Sequence, residues 1–265
     1  MKITIITPSY NQGEFIEETI LSVLQQKDSD FEHLVIDGGS SDDTVDILKR
    51  YPHLTWVSEH DQGQADALRK GLGVATGEII GWINSDDYYE RDVFPTIRRA
   101  FTDPQVQWVV GDLAYMYQTS RKVVVDHSPK ITHPALIKDP DIVRQQSTFF
   151  RKDFLERAGG WEPRYHMTMD YDLWTRLARL AEPLMLSQPL AYFRLHKAQK
   201  TSEKNIQVQA DELAEIMCRE GATEVAVATM RRIKKRLITK LKIKIFLVRI
   251  GLLNDRYLAQ PLRSG

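Results

Sequence analysis

The sequence predicts an α/β protein built on a mostly parallel sheet flanked by helices, followed by a helical basic tail. Two patterns and one bound carry that expectation. From residue 3 to 111, short apolar β-rich runs alternate with segments of roughly ten residues whose apolar positions recur at helical spacing, the pattern of βαβ units. The run Ile79-Ile80-Gly81-Trp82-Ile83 ends abruptly in Asn84-Ser85-Asp86-Asp87, and ligands of open α/β sheets bind beyond the carboxyl ends of strands. A chain of 265 residues, 42% hydrophobic, is long enough for one large core with a tail.

Taken in order, Ile3–Thr7 reads as the first strand. Glu14–Gln25 carries Phe15, Ile16, Ile20, Val23 and Leu24 near helical spacing. Leu34–Ile36 is the second strand; it runs into Asp37-Gly38-Gly39-Ser40-Ser41, a turn whose Ser and Asp side chains suit the start of a helix over Asp43–Arg50. Leu54–Val57 is the third strand, Gln64–Gly73 a helix, Ile79–Ile83 the fourth strand, Val93–Phe101 a helix and Val106–Gly111 the fifth strand. The rhythm changes after Asp112. Leu113–Gln118 and Lys122–Asp126 predict a hairpin about Thr119-Ser120-Arg121. Residues 127–143, with Pro129, Pro134 and Pro140, predict a long loop of the kind used in lids and binding loops. Ser147–Arg151 returns as a strand, Asp170–Leu180 as a helix and Leu190–Leu195 as an extended segment, and the chain from Thr201 to Ile250 reads mostly as helix.

Cys218 is the only cysteine, which excludes an internal disulfide framework and a cysteine-based zinc site and fits a reducing, cytoplasmic setting. The opening Lys2-Ile3-Thr4-Ile5-Ile6-Thr7-Pro8 is too quickly broken to read as a signal peptide, and no apolar run approaches the roughly 20 residues of a spanning helix. The net charge of zero hides an asymmetry: residues 231–265 hold 11 of the 36 basic residues and one acid, Asp255. Within 231–250, Ile233, Leu237, Leu241, Ile245 and Val248 recur every three or four residues among nine Lys and Arg side chains. A basic amphipathic helix is expected to lie on an anionic membrane surface, where each cation contributes about 1 kcal/mol. The alternative is packing against the acidic remainder of the chain. No nucleic-acid partner is expected.

The chemistry concentrates at three strand ends: Pro8-Ser9-Tyr10-Asn11, Asp37-Gly38-Gly39-Ser40 and Ser85-Asp86-Asp87. Parallel strands bring such ends to one sheet edge. The resulting inventory is an aromatic face, a carboxylate near backbone N–H groups and an acid pair suited to a hard cation that bridges phosphates. A nucleoside diphosphate needs those three things. The alternative for Asp86-Asp87 is a cap on the helix that starts near Arg91.

These motifs, in this order and spacing, resemble family 2 glycosyltransferases of the GT-A fold, of the WcaA-like bacterial surface-polysaccharide type. The likeness covers about residues 2–200, through Thr7-Pro8-Ser9-Tyr10-Asn11, Val35-Ile36-Asp37-Gly38-Gly39-Ser40-Ser41-Asp42-Asp43-Thr44, Asp61-Gln62-Gly63-Gln64-Ala65-Asp66-Ala67 and Trp82-Ile83-Asn84-Ser85-Asp86-Asp87. It resumes at Gln146-Ser147-Thr148-Phe149-Phe150-Arg151, Gly159-Gly160-Trp161, Met169-Asp170-Tyr171-Asp172-Leu173-Trp174 and Arg194-Leu195-His196. The resemblance implies a GT-A domain over 1–200, with a nucleotide-sugar half (1–112) and an acceptor half (113–200), and a helical tail over 201–265. It implies an inverting transfer of one sugar from a nucleotide sugar, UDP-linked, to a hydroxyl of a saccharide or lipid-linked saccharide, with Mg2+ or Mn2+. In that scheme Tyr10 packs on the base with Pro8 and Asn11 shaping its loop, Asp37 accepts from the uracil ring N–H, and Asp66 lines the donor pocket. Asp86 contacts ribose or donor sugar, Asp87 ligates the metal, His196 is a further metal or diphosphate contact, and Asp170 is the base.

The bland alternatives are structural: an Asx-turn at Asp37, a macrodipole acid at Asp66, a helix cap at Asp170 and a surface residue at His196. Asp172 is the second candidate for the base, and Ser85 stands where the metal motif often has a first carboxylate. No Gln-x-x-Arg-Trp segment of a processive synthase is present. The other function classes are a nucleotidyltransferase, which would want a Gly-rich basic loop after the first strand, where this chain has Pro8-Ser9-Tyr10-Asn11-Gln12-Gly13 and no Lys or Arg from there to Lys27, and a nucleotide-sugar-binding protein without catalysis.

Overall fold

The computed structural model describes residues 1–27, 30–117, 122–196 and 203–230. The basic segment 231–250 and the Thr119-Ser120-Arg121 turn lie outside these residues. In chain order the elements are β1 (Ile3–Ser9), α1 (Ile16–Leu24), β2 (Phe31–Asp37), α2 (Thr44–Leu48), β3 (Leu54–Ser58), α3 (Gln64–Val74), β4 (Ile79–Trp82), β5 (Tyr88–Tyr89) and α4 (Val93–Ala100). They continue with β6 (Trp108–Tyr117), β7 (Val123–Asp126), α5 (His133–Lys138), β8 (Thr148–Arg151), α6 (Lys152–Arg157), α7 (Met169–Leu180), β9 (Leu184–Leu195) and α8 (Glu203–Arg219).

The sheet order is β3-β2-β1-β4-β8-β6-β9-β5, with β7 added to β6. β1 pairs in parallel with β2 and with β4, and β2 with β3. β8 pairs antiparallel with β4 and with β6, and β5 antiparallel with β9. The parallel half follows from its sequence: strands buried on both faces read as nearly continuous apolar runs, and Ile3, Ile5 and Ile6 are fully buried. Gly81 is required in β4, because a Cβ there would lie 2.7 Å from both Ile5 Cδ1 and Phe149 Cε1. One core cluster joins Ile3, Ile5, Phe94, Val109, Leu113 and Phe149 on the side of α4; a smaller one joins Ile16, Ile20, Val35, Leu48 and Leu54 under α1 and α2.

The chain divides into two compact units, Met1–Tyr115 with Val124–Phe193, and Met116–Val123 with the residues from Arg194 on. The second contains α8, on which Ala210, Leu213, Ala214 and Met217 are buried at helical spacing.

Four local features differ from the expectations. β6 does not stop at Gly111 but continues unbroken to Tyr117. The loop expected over 127–143 contains α5, whose Thr132 cap accepts from Ala135 N–H and whose second residue is Pro134. The short helix α6 and the two-residue strand β5, which pairs with β9 at Tyr88–Tyr192, were not anticipated.

Candidate active site

The three strand ends meet as the pattern requires. Ser9 lies opposite Asp37 in the β1–β2 register, and Asp37 lies opposite Ser58 of β3. Gly38 N–H donates to the Ser9 carbonyl at 2.8 Å. On the other side of β1, the buried Ser85 hydroxyl donates to the Pro8 carbonyl at 3.0 Å. Ser85 therefore ties the end of β1 to the loop after β4, a structural role for the position that lacks a carboxylate.

The loop after β1 is sewn to the loop after β2. Asn11, in the left-handed region at φ 52°, donates its N–H to Ser40 Oγ at 2.7 Å and accepts from Ser41 N–H at 2.9 Å through its side-chain oxygen. Asn tolerates that backbone conformation because its short polar side chain bonds locally. Gln12 N–H donates to Thr44 Oγ1, and Gly13 N–H to Asp42 Oδ2, both at 2.9 Å. Burial alone would raise the Asp42 carboxyl, but hydrogen bonds from the Thr44 hydroxyl and from the Gly13 and Thr44 N–H groups hold it below the usual carboxylate range. Asp42 is thus a stitch between two loops rather than a simple helix-start acid. With its backbone so fixed, the Tyr10 ring is 62% exposed, a flat apolar surface at the sheet edge.

Asp37 is fully buried. Its Oδ2 accepts from Gly39 N–H (3.2 Å), Ser40 N–H (2.8 Å) and Ser58 Oγ (2.6 Å), and its Oδ1 from Ser40 Oγ (2.5 Å). The Asx-type turn therefore exists, and Oδ2 carries most of it. Gly38 is held bare by Asp61, whose Oδ2 would lie 2.9 Å from a Cβ. Asp66, in the first turn of α3, accepts from Gln62 N–H at 3.2 Å and pairs with Lys70 at 3.4 Å. Its observed contacts are those of a helix-start acid.

The acid pair follows β4. Asp87 is 1% exposed and Asp86 half-buried. Asp87 is held in place through its side chain and its backbone: Gln146 Nε2 donates to Oδ2 at 2.9 Å, and the Thr19 hydroxyl of α1 lies 2.6 Å from the Asp87 carbonyl. Beside it, Asn84 Oδ1 accepts from Gln64 Nε2 (2.6 Å) and Trp82 Nε1 (3.0 Å), and Asn84 Nδ2 donates to Gln145 Oε1 (3.1 Å). Gln145 and Gln146 lie about sixty residues further along the chain from the groups they hold, so their roles are not visible in the local pattern. Among the described residues no three His, Cys, Asp or Glu side chains converge to hold a metal ion. A donor set of one or two carboxylates that needs phosphate oxygens to complete the shell fits Mg2+-type chemistry.

α7 separates the two candidate bases. Met169 is its first residue, so Asp170 and Asp172, two apart, face different ways. Asp172 is fully buried and accepts from Arg176 Nε (3.0 Å) and Nη2 (2.6 Å), while Arg176 also donates to the carbonyls of Ala158 and Gly160. Asp172 is thereby committed to an ion pair that fixes the Gly159-Gly160 turn. Asp170 is half-buried at the helix start, with Oδ1 accepting from Tyr171 N–H at 2.8 Å. His196 belongs to the second unit and is 7% exposed.

Residues 4–157, more than half of the chain, match the model of glycosyl transferase family 2. The chain belongs to that family. This glycosyltransferase is 36% identical over 96 residues to the putative teichuronic acid biosynthesis glycosyltransferase TuaG of Bacillus subtilis, a match spanning 34% of this chain and 38% of that one. Two solved structures share its GT-A fold. The first, TarS 1–349 of S. aureus in complex with UDP-GlcNAc, has a TM-score of 0.64 at 19% identity over 87% of this chain and 70% of the other. The second, a mannosyltransferase of Pyrobaculum calidifontis in complex with GDP-Man and Mn2+, has a TM-score of 0.61 at 21% identity over 89% and 69%. Among the described residues no helix is long and apolar enough to cross a membrane.

Proposed function

We propose that this glycosyltransferase moves a single sugar from a UDP-sugar to a hydroxyl of a saccharide or lipid-linked saccharide, with inversion at the anomeric carbon. The observation that carries the reading is the convergence of the exposed Tyr10 ring, the buried Asp37 turn and the Asp86–Asp87 pair at one end of paired strands. Neighbours of the same fold bind UDP-GlcNAc, or GDP-Man with Mn2+, which supports a nucleotide-sugar donor here.

Tyr10 stacks on the base, with Pro8 and Asn11 setting its loop. Asp37 accepts from the uracil ring N–H through Oδ1, the less occupied of its two oxygens. Asp66 lines the donor pocket and Asp86 contacts ribose or donor sugar. Asp87, oriented by Gln146, would hold Mg2+ or Mn2+; when bound, that ion supplies neutralisation of the departing diphosphate. The metal or diphosphate role of His196 rests on the family resemblance. Asp170 takes the proton from the attacking hydroxyl, because a hydroxyl is a poor nucleophile without a carboxylate within hydrogen-bond reach. Donor recognition belongs to residues 1–112 and acceptor recognition to 113–200. The segment 231–250 holds the enzyme at the anionic cytoplasmic face of a membrane in a surface-polysaccharide pathway, a setting that the TuaG relative also supports.

The test is nucleotide release from a panel of UDP-GlcNAc, UDP-Glc, UDP-Gal and GDP-Man, with Mn2+ or with a chelator. UDP release that needs the metal and disappears in Asp87→Asn is the expected result; release from GDP-Man alone overturns the UDP assignment. For the tail, the full chain should pellet with vesicles containing phosphatidylglycerol and not with neutral vesicles. Equal pelleting with both would rule out the electrostatic anchor.

A further inference from the structure

Asp112 and His127 form a pair that the donor site does not use. Asp112 lies in β6 and is 2% exposed. Its Oδ1 accepts from Ser128 N–H at 2.8 Å, and its Oδ2 lies 2.8 Å from His127 Nδ1. Its carbonyl accepts from the Ser147 hydroxyl at 2.7 Å, and the Ser128 hydroxyl donates to the Gly111 carbonyl at 2.8 Å. Both carboxylate oxygens are therefore engaged and the adjoining backbone is tied down, while the His127 side chain is 79% exposed. A carboxylate that already accepts from a backbone N–H meets the ring as an acceptor too. In the neutral ring the proton then sits on Nδ1, and Nε2 presents its lone pair outward. A His fixed in one tautomer by a buried carboxylate is a prepared hydrogen-bond acceptor.

Its position gives that acceptor a use. Val110 lies opposite Thr148 in the β6–β8 pairing, and Ser147, whose hydroxyl donates to the Asp112 carbonyl, directly follows Gln146, the residue that orients Asp87. Trp108 shares a sheet face with Asp112 by strand alternation and stacks on Trp174 of α7 at 6.1 Å. Asp170 lies one turn before Trp174 on the same side of α7. The segment that follows His127 packs on α7 as well, where Tyr171 OH donates to the Leu136 carbonyl at 3.2 Å. Asp112–His127 and Asp170 thus rise on one face of the sheet towards the edge that carries Asp87.

We propose that His127 is an acceptor-binding residue: its Nε2 accepts a hydrogen bond from a hydroxyl of the saccharide that receives the sugar, and Asp112 is the positioning residue that fixes the tautomer. The assignment rests on the glycosyl-transfer reading and deepens it, placing the acceptor on the α7 side between His127 and Asp170.

The test uses the full chain with Mn2+ and the UDP-sugar most active in the donor panel. It compares UDP release in water with release in the presence of p-nitrophenyl glycosides of glucose, galactose, mannose and N-acetylglucosamine. In His127→Ala the saccharide-dependent rate is expected to fall about 10-fold more than the rate of transfer to water, through the KM for the glycoside. His127→Gln, whose side-chain oxygen still accepts, should recover part of it. Asp112→Asn should behave as His127→Ala does, because an amide donating to Nδ1 turns Nε2 into a donor. Three results overturn the proposal: an unchanged saccharide-dependent rate in His127→Ala, an equal fall in both rates, or a wild-type enzyme that releases UDP to water and responds to no glycoside. A wild type that neither binds nor turns over any nucleotide sugar overturns the glycosyl-transfer reading itself.

Discussion

Asp170 and Asp172 stand two residues apart on α7, and the contacts around them predict opposite outcomes on substitution. Asp170→Asn should leave the urea unfolding midpoint in place while sugar transfer falls by two or more orders of magnitude, roughly the contribution of a general base. Asp172→Ala should do the reverse in the first instance. It strips the buried partner from Arg176 and should lower stability by about 3 kcal/mol in the same urea titration. A transfer rate that survives Asp170→Asn would sink the base assignment. Tyr10 gives a second residue-scale prediction. Tyr10 is mostly exposed, so Tyr10→Ala should weaken UDP binding by about 1–3 kcal/mol in calorimetric titration while the urea unfolding midpoint stays in place. Much of this site was legible because its residues sit at strand ends, where a local sequence pattern predicts location. Gln146, Thr19 and the Asp112–His127 pair were not legible. Each acts across the fold, on a partner between 15 and 68 residues away, and no local signal marks a Gln or Thr as the support of a distant carboxylate.

At the scale of elements, the parallel half matched its sequence because each strand there is an apolar run bounded by turn residues. Boundaries moved by two or three residues, as when β1 extended from Thr7 to Ser9 by pairing with Asp37 of β2. The missed strand features have one cause, pairing partners far along the chain. β5 is two residues long and exists through β9, a hundred residues on, with Tyr88 and Tyr192 stacked at 4.7 Å. β6 continues past Gly111, where the fifth strand was expected to end, because β8 pairs with its first half and Ser147 satisfies the Asp112 carbonyl. The close packing of β4 carries a prediction of its own. Gly81→Ala would force a methyl against Ile5, Phe149 and the Tyr89 hydroxyl at 2.7–2.9 Å, and should destabilise by about 1–3 kcal/mol in chemical denaturation. An unaffected midpoint would mean that the strand can shift to make room.

For the whole molecule, folding and function meet in its response to acid. His33, 1% exposed on β2, is held neutral by burial, with the nearby His53 as a lesser cause, and its pKa is pushed down to about 3. Burial alone would raise the Glu32 carboxyl, but hydrogen bonds from Thr4, Thr76 and Lys2 hold it down at about 2. Both groups have folded values below their unfolded ones, so the unfolded chain takes up protons first as pH falls. Stability should therefore be full above about pH 6.5 and decline below it, with His33 alone contributing a slope of about 1.4 kcal/mol per pH unit until about pH 3, and Glu32 adding to the loss below about pH 4.5. Urea midpoints measured from pH 7.5 to 4.5 would show it; a flat profile between pH 6.5 and 5 would contradict the burial of a neutral His33.

A metal-dependent nucleotide site assembled from Tyr10, Asp37 and Asp87 makes a sharp prediction for calorimetry. UDP and GDP are titrated calorimetrically into the wild-type chain and into Asp87→Asn, each with Mn2+ and with a chelator. The site described here predicts binding of UDP in preference to GDP, strengthened by Mn2+ in the wild type and insensitive to Mn2+ in Asp87→Asn. UDP binding that is the same in all four conditions would show that Asp87 holds no metal at the diphosphate, and a preference for GDP would remove the uracil role of Asp37.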